Sequence, residues 1–403
     1  MSCSTPPTPL TPSSTGIHSN PVPMPYGQKR KVLVIGTGGT IASEPTVNGL
    51  SPLRNDHFYR RIRQHPQLSD PALSTPTHFS SDVPTRQVGP NTLYPELITP
   101  ALDDYGATVG YEILDLDKHM DSSEMTPAEW NIIASLVSEN WDLYEGFIIL
   151  SGTDTLAYTA SILTFLFTHP GKPILVTGAQ IPLSQPRSDG WTNLLDSLYV
   201  AGVLNFAGVG VVFHHTVLQG CRATKASANL FNAFSTPCVP PLINLNVKIT
   251  QNMNLPARSS TLPPRLIPLI TTPTVISASI HPGITGKLLS AQIEAVPTCR
   301  AVILSAYGSG NLPINEESGV LAALQRFVEK EILVVVISQC SIPNVYPLYT
   351  QGRMLLSIGV LPGYDLTHEA AFAKLLWLVS RKDLTFEQRQ KLFEIPVAGE
   401  MSV

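Results

Sequence analysis

Apolar residues along this chain gather in short runs of strand length, separated by stretches in which they recur at helical spacing. Residues 31–36 (KVLVIG) form a β-branched run that ends in glycine, the pattern of a parallel strand buried on both faces and meeting a loop. Comparable runs occupy 108–114, 146–150, 173–177 and 208–213. Residues 126–140 (TPAEWNIIASLVSEN) open with a threonine in capping position, a proline next and Glu129 three residues on, and then repeat apolar positions as a helix does. Segments 155–168 and 188–204 also read as helices. Strands alternating with helices predict right-handed crossovers and a parallel sheet covered on both faces, hence an α/β domain over 29–240. A stretch rich in Pro, Asn and Thr, 241–273, interrupts the alternation and reads as a linker with a strand or two. The alternation resumes with 274–280 (TVISASI), 301–308 (AVILSAYG), a helix around 316–330 and 332–340 (ILVVVISQC), which predicts a second, smaller α/β domain over 274–403. Residues 1–28 are dominated by Pro, Ser and Thr, bury too little apolar area to offset their ordering entropy, and are expected to form a disordered tail.

Composition narrows the partners. The chain has 403 residues, 43% of them hydrophobic and 14% charged, enough for two or three cored domains. The formal net charge is −4, and the 26 Lys and Arg are scattered without a run of five, so neither nucleic acid nor a membrane surface is an expected partner. Cys3, Cys221, Cys238, Cys299 and Cys340 are odd in number, widely spaced and free of any CxxC, which argues for free thiols rather than a disulfide framework or a zinc site. There is no Asn-x-Ser/Thr sequence, no secretory layout in the first 27 residues, and no apolar run long enough to span a bilayer. A cytoplasmic enzyme or binding protein with a small-molecule partner is expected.

Ligands of open α/β sheets bind at the carboxyl ends of strands, and four polar clusters fall there. The first is Gly36-Thr37-Gly38-Gly39-Thr40, whose glycines let the backbone approach a ligand closely. On its own it reads equally as a tight turn or a nucleotide loop, although Ile41 stands where a dinucleotide fingerprint needs its third small residue. The second, Gly152-Thr153-Asp154-Thr155, is a ligand site or a plain helix cap. The third, Asp121-Ser122-Ser123-Glu124, suits the ammonium and carboxylate of an amino acid, or again a cap. The fourth, Arg222-Ala223-Thr224-Lys225, offers a lysine that would ordinarily be solvated. Together these residues supply what amide hydrolysis requires: a hydroxyl nucleophile and a lysine–carboxylate pair able to relay its proton.

In this order the motifs resemble the L-asparaginases of the bacterial class, and within it the cytosolic type. The TGGTI signature is matched by residues 37–41, GTDT by 152–155, DSS(D/E)MTP by 121–127, TGAQIP…SDG by 177–190, and a TK pair by Thr224 and Lys225. The resemblance implies a larger N-terminal flavodoxin-like domain, a smaller C-terminal Rossmann-like domain, and conversion of L-asparagine and water to L-aspartate and ammonia with neither metal nor cofactor. Thr40 would form the acyl-enzyme, and Thr153, Asp154 and Lys225 would activate a hydroxyl or the deacylating water. Asp121, Ser122, Ser123 and Asp154 would hold the substrate's α-amino and α-carboxylate groups, while Thr153 and Ala179 would frame the scissile amide. Asn311 would approach from the second domain. A homodimer or homotetramer is implied as well. A glutaminase-type or broader amidase, and a catalytically weak amino-acid-binding protein, are the alternatives.

The sequence departs from the family in three places. Bacterial relatives carry an assisting tyrosine on the loop after the first strand, where this chain has Leu50. Animal cytosolic relatives share that lack, and their second-domain tyrosine falls on Tyr349 by spacing from Cys340; Tyr59 is a second candidate, and a purely structural Tyr349 stands beside both. Ser151 replaces the histidine that usually precedes GTDT, and Ser305 stands where the bacterial cytosolic type has an arginine belonging to an allosteric asparagine site.

Overall fold

A computed structural model describes residues 30–403 apart from 54–55, 75–82, 84, 105, 253–254, 256, 260–265 and 347–349. The tail expected over 1–28, and Tyr349, lie outside the described residues. The first domain is built on β1 (Arg30–Gly38), β2 (Val109–Met120), α1 (Pro127–Glu139), β3 (Gly146–Leu150), α2 (Leu156–Leu166), β4 (Pro173–Thr177), α3 (Gly190–Gly202) and β5 (Gly208–Phe213). All five strands are parallel and lie in the spatial order β2-β1-β3-β4-β5, with Val34 opposite both Ile113 and Ile148 and Leu175 opposite both Ile148 and Gly210. This is the flavodoxin-like order, in which the chain leaves β1 and β3 in opposite directions and opens a crevice at their carboxyl ends.

Period-two alternation explains how so apolar a set of strands is shared between two faces. Leu33, Ile35, Phe147, Ile149, Ile174 and Val176 pack with Trp130, Ile133 and Val137 of α1 and with Leu156, Ala160 and Leu163 of α2. The intervening Val32, Val34, Ile148, Leu150 and Leu175 pack with Leu194, Leu198 and Ala201 of α3. α1 starts as its sequence predicts: the Thr126 hydroxyl accepts from the Ala128 amide, Glu129 reaches back to the Thr126 amide, and Pro127 occupies the first turn.

Antiparallel strands extend this sheet at both edges. β5 turns back through His214 and His215, both left-handed (φ 47° and 60°), into β6 (Thr216–Gln219), followed by β7 (Ile243–Leu245) and β8 (Ile249–Gln251). Strands Asn91–Leu93 and Arg86–Val88 lie beyond β2. Edge strands this short and polar leave little periodicity to read.

The second sheet is parallel and sequential: β9 (Val275–Ser279), β10 (Ala301–Ala306), β11 (Leu333–Ser338) and β12 (Leu361–Pro362), with Ile303 opposite Val335. Helices α4 (Gly286–Glu294) and α5 (Val320–Glu329) cover one face through Leu289, Leu324 and Phe327. The helix expected at 316–330 begins only at Val320, because Gly319 takes a left-handed φ of 63° between it and a single turn at Glu316–Ser318. The other face receives α6 (His368–Ser380), which the periodicity did not single out. α6 also lies along α2, where Trp377 stacks on Phe165 at 5.9 Å. α2 is apolar almost all round because it is covered by its own sheet and by α6. Among the described residues, no helix is long and apolar enough to cross a membrane.

α6 carries a fully buried ion pair, Lys374 with Glu400 at 2.5 Å. The ammonium also donates to the carbonyls of Phe393 (2.7 Å) and Ile395 (2.8 Å), and Glu400 accepts from the Ala398 amide (2.8 Å). Burial pulls the Lys374 pKa down, and Glu400 opposes that shift. Lys374→Met strands a buried carboxylate and should cost about 3–5 kcal/mol in denaturant unfolding. Combining it with Glu400→Gln should recover part of the loss.

Candidate active site

The crevice between β1 and β3 closes around two glycines. Gly39 has φ 79°, and a Cβ on it would lie 2.4 Å from the amide nitrogen of Gly152. A Cβ on Gly152 would lie 2.4 Å from the hydroxyl oxygen of Ser122. The loops after β1, β3 and β2 therefore lie one on another with no room for side chains, and any residue other than glycine would push them apart. Hydroxyls stitch the strand ends together below this layer: Thr37 donates to the Leu150 carbonyl (2.8 Å), and Thr177 donates to that of Val212 (2.7 Å).

Thr40 follows directly. It is half-buried and opens a single turn, Thr40–Ala42, which the Ala42 amide and the Ser43 hydroxyl close onto the Gly39 carbonyl at 3.2 and 2.8 Å. The next loop braces this turn, since the Leu183 amide donates to the Ile41 carbonyl at 3.2 Å. Within that loop Ala179 is fully buried. The amides of Gln180 and Ile181 both donate to Asp189 at 3.0 Å, and Asn193 donates to the Gly178 carbonyl at 2.9 Å. Asp189 lies within the SDG signature but was given no role from the sequence, and Asn193, four residues beyond Asp189, was not singled out.

Across the crevice, Lys225 donates from Nζ to Thr153 Oγ1 at 2.9 Å and to Asp154 Oδ1 at 2.8 Å. Thr153 is buried, the Lys225 side chain is 20% exposed and that of Asp154 is 65% exposed. The helix-cap alternative for this cluster does not hold for Thr155: its side chain makes no cap bond, and its hydroxyl donates instead to the Ser122 carbonyl at 2.8 Å. Nor is Lys225 a solvated lysine. Because the ammonium donates to the Thr153 oxygen, that hydroxyl's own proton is left free to donate elsewhere.

Asp121 accepts from both the amide and the hydroxyl of Ser123 at 2.9 Å, holding the loop in a tight turn with Ser122 buried against Gly152. Just upstream, His119 bonds Asp115 at 2.9 Å, with each side chain 16% exposed. The His119 Cβ lies 3.1 Å from where a Cβ of Gly38 would stand. The hydrogen bond to Asp115 raises the His119 pKa against the opposing effect of burial. Sequence reasoning missed this pair, although its i, i+4 spacing on a long strand places both residues on one face.

Two expected residues stand apart. Asn311 is exposed in a turn after β10, bonded through its amide to the Tyr307 carbonyl at 2.9 Å, and among the described residues no hydrogen bond joins it to Thr40, Thr153, Asp154 or Lys225. Tyr59 is no loop residue: it is fully buried in helix His57–Gln64, stacked on Tyr94 at 4.8 Å, because the segment is amphipathic and turns that ring into the core. Leu50 is 52% exposed on the hairpin Ser43–Thr46/Gly49–Pro52 that follows the Thr40 turn. On the side toward the second domain, Thr224 and Lys225 border a cavity of about 780 Å³ that also touches Ser279, Ser305, Gln339 and Glu369. Among the described residues, no cluster of three or more His, Cys, Asp or Glu could hold a metal ion.

Comparison with known proteins finds two family models in succession, the N-terminal asparaginase model over residues 31–257 and the glutaminase/asparaginase C-terminal domain over 274–393. The chain is 34% identical over 376 residues to L-asparaginase 1 of Escherichia coli, covering 93% of this chain and 99% of that protein. It is 30% identical over 303 residues to a glutamyl-tRNA(Gln) amidotransferase component of Pyrobaculum aerophilum, covering 70% of this chain and 68% of that one. The solved structure of L-asparaginase I from Vibrio cholerae superposes with a TM-score of 0.75 at 32% identity, covering 93% of this chain and all of that one.

The His119–Asp115 pair has a pH signature. Because the folded imidazole titrates above its ordinary 6.5, the stabilisation is fully present below that value and is lost as pH rises through the folded pKa. The unfolding free energy of His119→Gln should fall furthest below wild type in mildly acidic buffer, and the gap should narrow at alkaline pH. A gap that does not vary with pH would show that the pair carries no linked proton.

Proposed function

This chain belongs to the asparaginase family, and from that premise we propose that it hydrolyses the side-chain amide of L-asparagine to L-aspartate and ammonia through a threonyl acyl-enzyme. The observation that carries this reading is the convergence of Lys225 on Thr153 and Asp154 across the crevice from the Thr40 turn. A carboxamide is a poor electrophile near neutral pH, so a hydroxyl must be activated and the developing oxyanion stabilised.

In the proposed cycle the Thr40 oxygen attacks the carboxamide carbon, its proton passes to the amide nitrogen, and the C–N bond breaks to release ammonia. Water activated at the Thr153–Lys225–Asp154 cluster then releases aspartate. Asp121, Ser122, Ser123 and Asp154 bind the α-amino and α-carboxylate groups, and the backbone beside Thr153 and Ala179 frames the amide. Tyr349 assists the nucleophile from the second domain. Asn311 is exposed and, among the described residues, makes no hydrogen bond to its own chain's triad, which suits a homodimer or homotetramer in which it approaches a neighbouring site. A cytoplasmic setting fits Cys221, Cys238, Cys299 and Cys340, all of which are free thiols.

A second reading, hydrolysis of glutamine, is favoured by the similarity to an amidotransferase component. Glutamine is one methylene longer than asparagine, and a pocket discriminates such a difference by roughly 1–3 kcal/mol. The ratio of kcat/KM for the two amides therefore decides between them.

Purified protein should release ammonia from L-asparagine, Thr40→Ala should abolish that release, and Lys225→Met should lower kcat by on the order of 10³-fold or more, since residues of one relay do not act additively. Unchanged turnover in Thr40→Ala would remove the acyl-enzyme from the scheme. Asparagine raising the melting temperature with no ammonia formed would identify a binding protein instead.

A further inference from the structure

Lys225 stands on a strand of two residues, Thr224–Lys225, paired with an equally short Phe234–Ser235. Two ladder pairs are a weak hold for a side chain that must meet both Thr153 and Asp154. Stronger bonds act on the opposite side of the chain. Ala223 is extended (φ −78°, ψ 144°), so the residues on either side of it, Arg222 and Thr224, share one face while Lys225 takes the other. Both are held by carboxylates of the second domain.

Arg222, with its side chain 6% exposed, donates from Nη1 to Asp365 at 2.7 Å, from Nε to the Gly399 carbonyl at 2.7 Å and from Nη2 to the Ser402 hydroxyl at 3.2 Å. The Ser402 amide closes the ring by donating to the other oxygen of Asp365 at 2.7 Å. Thr224 donates its hydroxyl to Glu369 at 2.8 Å. Gln219 reaches the carbonyls of Ala398 and Gly399, each at 3.2 Å. The C-terminal segment is itself fastened within the second domain by the buried Glu400–Lys374 pair.

We propose that Arg222, clamped between Asp365 and residues 398–402, is a positioning residue that sets the reach of Lys225 toward Thr153 and Asp154. Turnover at the Thr40 site then depends on the C-terminal end of the chain, although no group there reacts. The inference rests on the role given to Lys225 above. An arginine is needed because three acceptors at fixed angles match the guanidinium fork, whereas a lysine presents a single point donor.

Arg222→Lys should lower kcat for asparagine by roughly 10- to 100-fold, the scale expected when a catalytic group is misplaced by about an ångström. KM should move less than kcat, because of the proposed substrate contacts only Asp154 touches Lys225, while Asp121, Ser122 and Ser123 lie on another loop. Removal of residues 402–403 should act in the same direction more weakly, and it supplies a milder variant if Arg222→Lys folds poorly. The discriminating measurement is a double-mutant cycle. In a Lys225→Met background Arg222→Lys should cost nothing further in kcat, whereas multiplying losses would overturn the proposal by showing that Arg222 acts otherwise than through Lys225. Crystal structures of Arg222→Lys and of the truncated chain test the clamp without reference to turnover. Lys225 should sit beyond hydrogen-bond distance of Thr153 or Asp154, and an unchanged pair of bonds would sink the idea. If Thr40→Ala and wild type release ammonia alike, the proposed reaction fails, while the Lys225 geometry in those crystals still decides the clamp.

Discussion

Gly39 and Gly152 touch backbone to backbone, and the rest of the site is arranged around that contact. Each lies where a methyl group would come within 2.4 Å of a neighbouring loop atom, so the loops after β1, β3 and β2 close into one layer only because both positions lack a side chain. The layer sits at the point where the strand order reverses, the place at which a parallel sheet leaves a crevice open. Thr40, Thr153 and Ser122 come from segments more than 100 residues apart at the extremes, and their loops touch because they leave neighbouring strands at the same end of one sheet.

A second constraint comes from the smaller domain. α6 lies between the two sheets, and its apolar side chains join both halves into one hydrophobic cluster, so the interface is a continuation of the core. The same domain holds Arg222 and Thr224 by carboxylates, on the chain segment that carries Lys225. The segment that carries Lys225 is thus held from both domains, by Thr153 and Asp154 on one side and by Asp365 and Glu369 on the other.

Legibility from sequence followed burial. The five parallel strands of the first sheet were readable because strands buried on both faces are continuous apolar runs, and α1 was readable because its cap is local chemistry. The antiparallel edges were not, since short half-exposed strands have no such runs, and α6 escaped notice because a helix buried almost all round shows little amphipathic contrast. Tyr59 illustrates the limit for single residues: an aromatic near a candidate loop reads the same whether it faces a ligand or, as here, stacks on Tyr94 inside the core.

By itself the sequence determined which residues could carry chemistry and on which strand ends they fall, because residue type, glycine placement and hydrophobic period are properties of short segments. It could not decide that Lys225 is held by two partners rather than solvated, that Asp115 and His119 form a half-hidden pair beside the glycine loop, or that Arg222 is taken up by the far end of the chain. Those outcomes depend on distances between segments remote in sequence, and such distances exist only once both sheets have packed around α6.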